Sequence, residues 1–346
     1  MTEPYRIGGA IGSPYTRKLK AVLQYRRLPY WFIQSTTNDY PGLPKPPLPL
    51  LPCLWMPNAD GSLEATSDST FQIRTLEERE SGRSVIPTDP AVAFLDYLIE
   101  DFGDEWLTKA MFHYRWGIPE NVEHASQVLP LWNIGIPDST VDFFRANFAK
   151  RQIDRLSGVV TGSIEVCGPI IEASYVRLLE ILRTRFTEHK FLLGDRPGTG
   201  DFGLYGQLTQ LVQVEPTSQA LARKDYARVT AWVDAVDDLS GLPVEGDAGW
   251  VARDSLGDTF RELLGEVGRT YAPFMVANAK AIDSGEPETH CEIDGGKYWQ
   301  KAFPYQRKCL AWLQAEYAAL SAPDRGFVDG VLAGTGCEML LDQRLD

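Results

Sequence analysis

Long apolar runs are missing from this sequence: nothing approaches the roughly 18 consecutive apolar residues that a membrane-spanning helix requires. The first residues, MTEPYRIGGAIGSPYTRK, also hold no apolar core of a secretion signal. No membrane association is expected. Positive charge is scarce as well. Against 47 Asp and Glu there are 34 Lys and Arg, a formal charge of −13, which argues against nucleic-acid partners because these draw their affinity from clustered cations. The one local exception is Arg17, Lys18, Lys20, Arg26 and Arg27, read either as an attractor of small anions or as a solvated helix face. The 5 cysteines are scattered, odd in number and without a C-x-x-C pair, which excludes a disulfide framework and a zinc knuckle. A reducing, cytoplasmic location follows as an expectation. His113, His124, His189 and His290 show no ligand spacing, so no metal is expected. Neither G-x-x-x-x-G-K-[ST] nor G-x-G-x-x-G occurs, so no nucleotide loop is indicated.

What is present is an ordinary apolar content of 44% in 346 residues, enough for more than one packed domain. The first eighty or so residues alternate strand and helix signals. Residues 5–11 read as a strand and Ser13-Pro14 as a helix cap followed by proline at the first helical position. A helix runs from there to about residue 26, and 29–33 read as a second strand. The proline-dense stretch YPGLPKPPLPLLP forbids a regular helix, CLWM and SLEA flank an NADG turn, and Ser67 is read as the cap of a further helix. The order βαβ, loop, ββα predicts an α/β thioredoxin-like domain with a mixed sheet. From Pro90 the signals become helical, with segments expected at 138–156, 169–189, 201–213 and 225–239, as in an all-α bundle. The division expected is 1–82, 88–245 and a mostly helical extension at 250–346 with a short hairpin around Asp294-Gly295-Gly296.

Three short segments carry possible chemistry. A helix start stabilises an anion, and the Ser13 hydroxyl there can donate to a thiolate or simply cap the helix. Leu51-Pro52 before a strand suits a cis bond that keeps the preceding backbone free for a ligand. Asp68-Ser69 at the next helix start offers a carboxylate to an ammonium, and a hydroxyl with N–H groups to a carboxylate.

S13-P-Y-T-R-K, L51-P-C-L and S67-D-S-T, in this order, resemble the first-helix, cis-proline and acidic-serine motifs of the cytosolic glutathione S-transferase superfamily. FLLGDRPGTGDFGLYGQL at 191–208 is similar to a helix-capping motif of the same family, with Gly198 where a serine or threonine is usual and Asp201 retained. The resemblance covers about residues 5–240. It implies glutathione as co-substrate, Ser13 as the group that activates its thiol, and Ser13, Pro14, Leu51, Pro52, Asp68 and Ser69 as its binding site. It further implies a homodimer and a small apolar electrophile held against the first bundle helices, with Phe112, Arg115 and Trp116 as candidate wall. An enzyme that conjugates, isomerises or reduces that electrophile is one reading. A non-catalytic binding or scaffold module of the same fold is the other.

Overall fold

The computed structural model describes residues 3–34 and 40–342. Strand β1 (Tyr5–Gly9) lies between β2 (Tyr30–Gln34), to which it is parallel, and β3 (Cys53–Pro57), to which it is antiparallel. Strand β4 (Leu63–Ser67) pairs antiparallel with β3 and completes the order β2-β1-β3-β4. Helix α1 (Pro14–Tyr25) makes the crossover from β1 to β2, and α2 (Ser69–Arg79) follows β4. This is the expected thioredoxin-like sheet.

The helical part begins with α3 (Pro90–Phe102), where Asp89 accepts from the N–H groups of Ala91 and Val92. The chain does not break after α3. Wide i→i+5 turns at Gly103–Leu107 and His113–Gly117 flank α4 (Thr108–Phe112), so one curved helical run continues to Gly117. Then follow α5 (Pro119–Leu131), α6 (Asp138–Leu156), α7 (Ile164–Glu188), α8 (Thr199–Gln213), α9 (Pro216–Asp225) and α10 (Ala227–Val236). Pro169, expected to open a helix, lies inside α7, which is capped one turn earlier by the Ser163 hydroxyl at 3.4 Å from the Val166 N–H.

Helix α8 is the centre of the bundle, buried from Thr199 to Val212. Its start explains Gly198. A Cβ on Gly198 would lie 2.3 Å from Asp96 Oδ1, because the Asp96 carboxylate on α3 fills the space of a cap side chain and accepts from Thr199 N–H at 2.7 Å and Gly200 N–H at 3.0 Å. Asp201 reaches back to the Gly198 N–H at 2.9 Å. A neighbouring helix supplies the cap that residue 198 does not.

The extension consists of α11 (Gly257–Ser284), the hairpin β5 (Glu288–Ile293) and β6 (Gly296–Lys301), then α12 (Pro304–Ala319) and α13 (Ala322–Leu332). It shares one apolar core with the sheet and bundle. Leu263, Leu264, Phe274 and Met275 of α11 are fully buried, worth about 1.5–3 kcal/mol each. Among the described residues no single helix is long and apolar enough to cross a membrane.

Candidate functional site

Register brings the three motif segments together. Gly8 of β1 is paired with Cys53 of β3, and Cys53 with Ser67 of β4. Strand β3 is antiparallel to both neighbours, so the residues after β1, before β3 and after β4 leave the sheet at the same end. Those residues are Ser13-Pro14, Leu51-Pro52 and Asp68-Ser69. The Leu51-Pro52 bond is cis. Buried Gln72 of α2 ties the segments together, donating from Nε2 to the carbonyls of Pro52 (3.1 Å) and Thr66 (2.9 Å).

Ser13 is the N-cap of α1, and its Oγ accepts from the Thr16 N–H at 3.3 Å. Accepting uses a lone pair and leaves the hydroxyl proton available, so capping and donation to a thiolate coexist. The first turn of α1 carries no acidic side chain, and its partial positive charge is not offset there. Asp68 caps α2 with a backbone φ of +81°, a region that costs a non-glycine residue of order 1–3 kcal/mol and persists only when its surroundings impose it. Here Oδ1 accepts from the N–H groups of Thr70 (3.1 Å) and Phe71 (3.4 Å). Oδ2 accepts from the hydroxyl of Tyr305, far along the chain in α12, at 2.6 Å. Ser69 beside it is buried.

Beneath these segments lies a buried ionic knot joining α1, α2 and α3. Lys18 Nζ meets Glu100 Oε1 at 2.7 Å, Asp104 Oδ2 at 2.5 Å and Thr70 Oγ1 at 3.0 Å. Burial alone would raise the Glu100 carboxyl, but Lys18 and Arg74 outweigh it and hold it low. Lys18 is thus no part of a surface cluster. Arg26 is likewise buried against Glu77 at 2.8 Å, and Arg17 lies 3.4 Å from Asp237, so three of the five cations serve ion pairs rather than a patch for anions.

Phe112, Arg115 and Trp116, the wall residues that the resemblance implies, are engaged within the fold. Arg115 is buried and donates to Glu215 (2.5 Å), Gln210 (2.7 Å) and the Gly12 carbonyl (2.8 Å). The anionic partner expected of a buried arginine is therefore Glu215. Trp116 packs with Ala125, Leu129 and Phe148, and Phe112 is half-buried between that cluster and the main core. Leu129 and Trp132, at the end of α5, instead abut the loop before Ser13: a Cβ on Gly12 would come within 2.4 Å of Leu129 Cδ2 and 2.7 Å of Trp132. Gln34 also donates to the Trp132 carbonyl. No sequence signal marked these two residues, since the approach depends on how α5 folds back over the sheet.

Tyr5 donates to Glu80 at 2.5 Å and does not face the Ser13 corner. Burial pushes the Cys53 thiol up to about 12, which leaves it unreactive. Among the described residues no group of His, Cys, Asp and Glu is arranged to hold a metal ion.

The N-terminal domain of glutathione S-transferases matches residues 9–84, and the C-terminal domain of glutathione S-transferases matches residues 146–235. The chain belongs to the glutathione S-transferase superfamily. No curated protein matches its sequence significantly. Solved structures similar to it include a glutathione S-transferase from Rhodospirillum rubrum, 18% identical over 73% of this chain and 99% of that one, with a TM-score of 0.44. Another is FzlA from C. crescentus, 16% identical over 73% of this chain and 99% of that one, TM-score 0.45. A third, from Methylobacterium radiotolerans, is a glutathione S-transferase in complex with glutathione sulfonate, 17% identical over 68% of this chain and 91% of that one, TM-score 0.40. Within the superfamily assignment, residues beyond 235 lie outside both matched domains, yet it is from there that Tyr305 reaches the Asp68 corner.

Proposed function

We propose that this chain binds glutathione at the sheet end formed by Ser13-Pro14, Leu51-Pro52 and Asp68-Ser69, and joins its thiol to a small apolar electrophile. The observation that carries the reading is the convergence of a helix N-terminus with a free hydroxyl proton and, one sheet-width away, an acidic helix cap. The first suits a thiolate and the second the ammonium of a γ-glutamyl group. Ser13 lowers the thiol pKa by donating to the charged form. The electrophile rests against Leu129 and Trp132, with Phe112, Arg115 and Trp116 behind them as support. Conjugation is the reaction favoured by a hydroxyl in place of a thiol at position 13, since serine forms no mixed disulfide; isomerisation or reduction with glutathione uses the same thiolate.

Calorimetric titration with glutathione tests the site, and an ultraviolet titration of the bound thiol in the wild type and in Ser13→Ala tests activation. The expected result is saturable binding with a thiol pKa below that of free glutathione in the wild type, and a higher pKa in the variant. Absence of binding would sink the proposal. An unchanged thiol pKa would leave the second reading, a non-catalytic binding or scaffold module, in which Ser13 only caps α1.

The rest of the reading follows the family resemblance: a cytoplasmic detoxifying homodimer with the divisions 1–82, 88–245 and 250–346. Helices α12 and α13 lie on α3 and cover that side of the bundle, so a homodimer must form on another face. Light scattering at micromolar concentration gives twice the chain mass if it does, and the chain mass if it does not.

A further inference from the structure

We infer that Tyr305, in the extension beyond the matched domains, is a glutathione-binding residue that shares the γ-glutamyl ammonium with Asp68. The inference rests on the glutathione reading above and adds to it a residue that neither the motifs nor the family domains contain.

The two oxygens of the Asp68 carboxylate are engaged unequally. Oδ1 is taken up by the backbone N–H groups of Thr70 and Phe71, while Oδ2 accepts only the Tyr305 hydroxyl, among the bonds of the described residues. A carboxylate oxygen has room for a second donor. The Tyr305 hydroxyl has spent its proton on Asp68, and its own oxygen can still accept. An ammonium placed beside the pair thus finds two acceptors, Asp68 Oδ2 and Tyr305 Oη, already 2.6 Å apart and mutually oriented. Burial first, then Cys309, Glu105 and Asp68, raise the Tyr305 phenol well above the ordinary tyrosine value, so it remains a donor to Asp68 at every physiological pH.

Tyr305 is also held in advance. It follows Pro304 at the first turn of α12, and the junction before it is fixed by Asn278 of α11. That side chain accepts from the Phe303 N–H at 2.8 Å and donates to the Phe303 carbonyl at 3.0 Å. The next residue, Gln306, donates to the Glu105 carbonyl at 3.4 Å, which anchors α12 on the run that continues α3. The ring sits between Phe303 and Trp312, with centroids 6.0 and 6.1 Å away. A side chain restrained at both ends of its turn loses little freedom on meeting a ligand.

The test compares glutathione with its deaminated analogue, γ-glutaryl-cysteinyl-glycine, by calorimetric titration of the full chain and of its Tyr305→Phe variant. The variant keeps the ring and its packing and removes only the hydroxyl. Glutathione should bind the variant about ten- to a hundredfold more weakly, the usual worth of a hydrogen bond to a charged group, while the analogue binds both proteins alike. Equal affinity of the two proteins for glutathione overturns the inference. So does an equal loss for both ligands, since that would mark a general structural role or a folding defect. If the wild type binds neither ligand, the glutathione reading itself fails, a result distinguishable from the other two.

Discussion

At the residue scale, Arg115 shows how a side chain expected in a substrate wall serves the site from behind. It holds the Gly12 carbonyl, Gln210 holds the Ile11 carbonyl at 3.2 Å, and the loop that delivers Ser13 is thereby fixed to α8. Glu215, its counter-charge, is fully buried. Removing one partner of such a pair leaves the other charge uncompensated, so Arg115→Met should destabilise the fold by about 3–5 kcal/mol. Adding Glu215→Gln removes the orphaned charge and should recover a large part of that loss, as read from urea midpoints in a double-mutant cycle. If Arg115→Met costs under about 1 kcal/mol, the pair is not what holds this loop.

At the element scale, the start of α8 depends on α3 for its cap. Substituting Gly198→Ser brings the residue usual at this position in the family, yet its Cβ meets Asp96 Oδ1 at 2.3 Å. The expected outcome is a destabilisation of about 1–3 kcal/mol from overpacking, not a gain from capping. In an Asp96→Ala background the space is empty and the Thr199 and Gly200 N–H groups lack their acceptor, so there the same serine should stabilise the helix. Thermal unfolding of the four proteins reads this reversal of sign; a serine that behaves alike in both backgrounds would show that the two caps are independent.

At the scale of the whole molecule, the helical run from α3 to Gly117 carries buried carboxylates where it meets α8 and the extension. Burial raises Asp96 to about 7. It raises Asp101 and Glu105 as well, and repulsion between neighbouring acids adds to the effect, while Tyr271 donates to Asp101 and Gln306 faces Glu105. In the unfolded chain such groups titrate near 4. A folded pKa above the unfolded one means that the native state holds protons the unfolded state has released. The stabilisation is full below about pH 4 and is lost as pH rises through the folded values. For these groups stability should therefore fall between about pH 4 and 8, opposite to the usual acid sensitivity of salt-bridged carboxylates. Urea midpoints should be higher at pH 5.5 than at pH 8, and Asp101→Asn with Glu105→Gln should flatten the slope. A midpoint that rises with pH, unaffected by those substitutions, would contradict this account.

The alternation of strands and helices, the cap at Ser13, the Leu51-Pro52 turn and the hairpin at Asp294-Gly295 were all readable in the chain, because each rests on hydrogen bonds or backbone preferences spanning a few residues, whereas the cap expected at Ser67 falls one residue later, at Asp68. The short helices α5, α9 and α13 escaped that reading, and Pro169 misled it by sitting inside α7. Three further features required the packed molecule: Leu129 and Trp132 against Gly12, Asp96 in the place of a cap at residue 198, and Tyr305 on Asp68. Each joins residues on different elements, the last pair 237 positions apart. Short-range pattern selects an element and its ends, whereas which elements meet is set by how their apolar faces stack, a property of the whole core that no single segment contains.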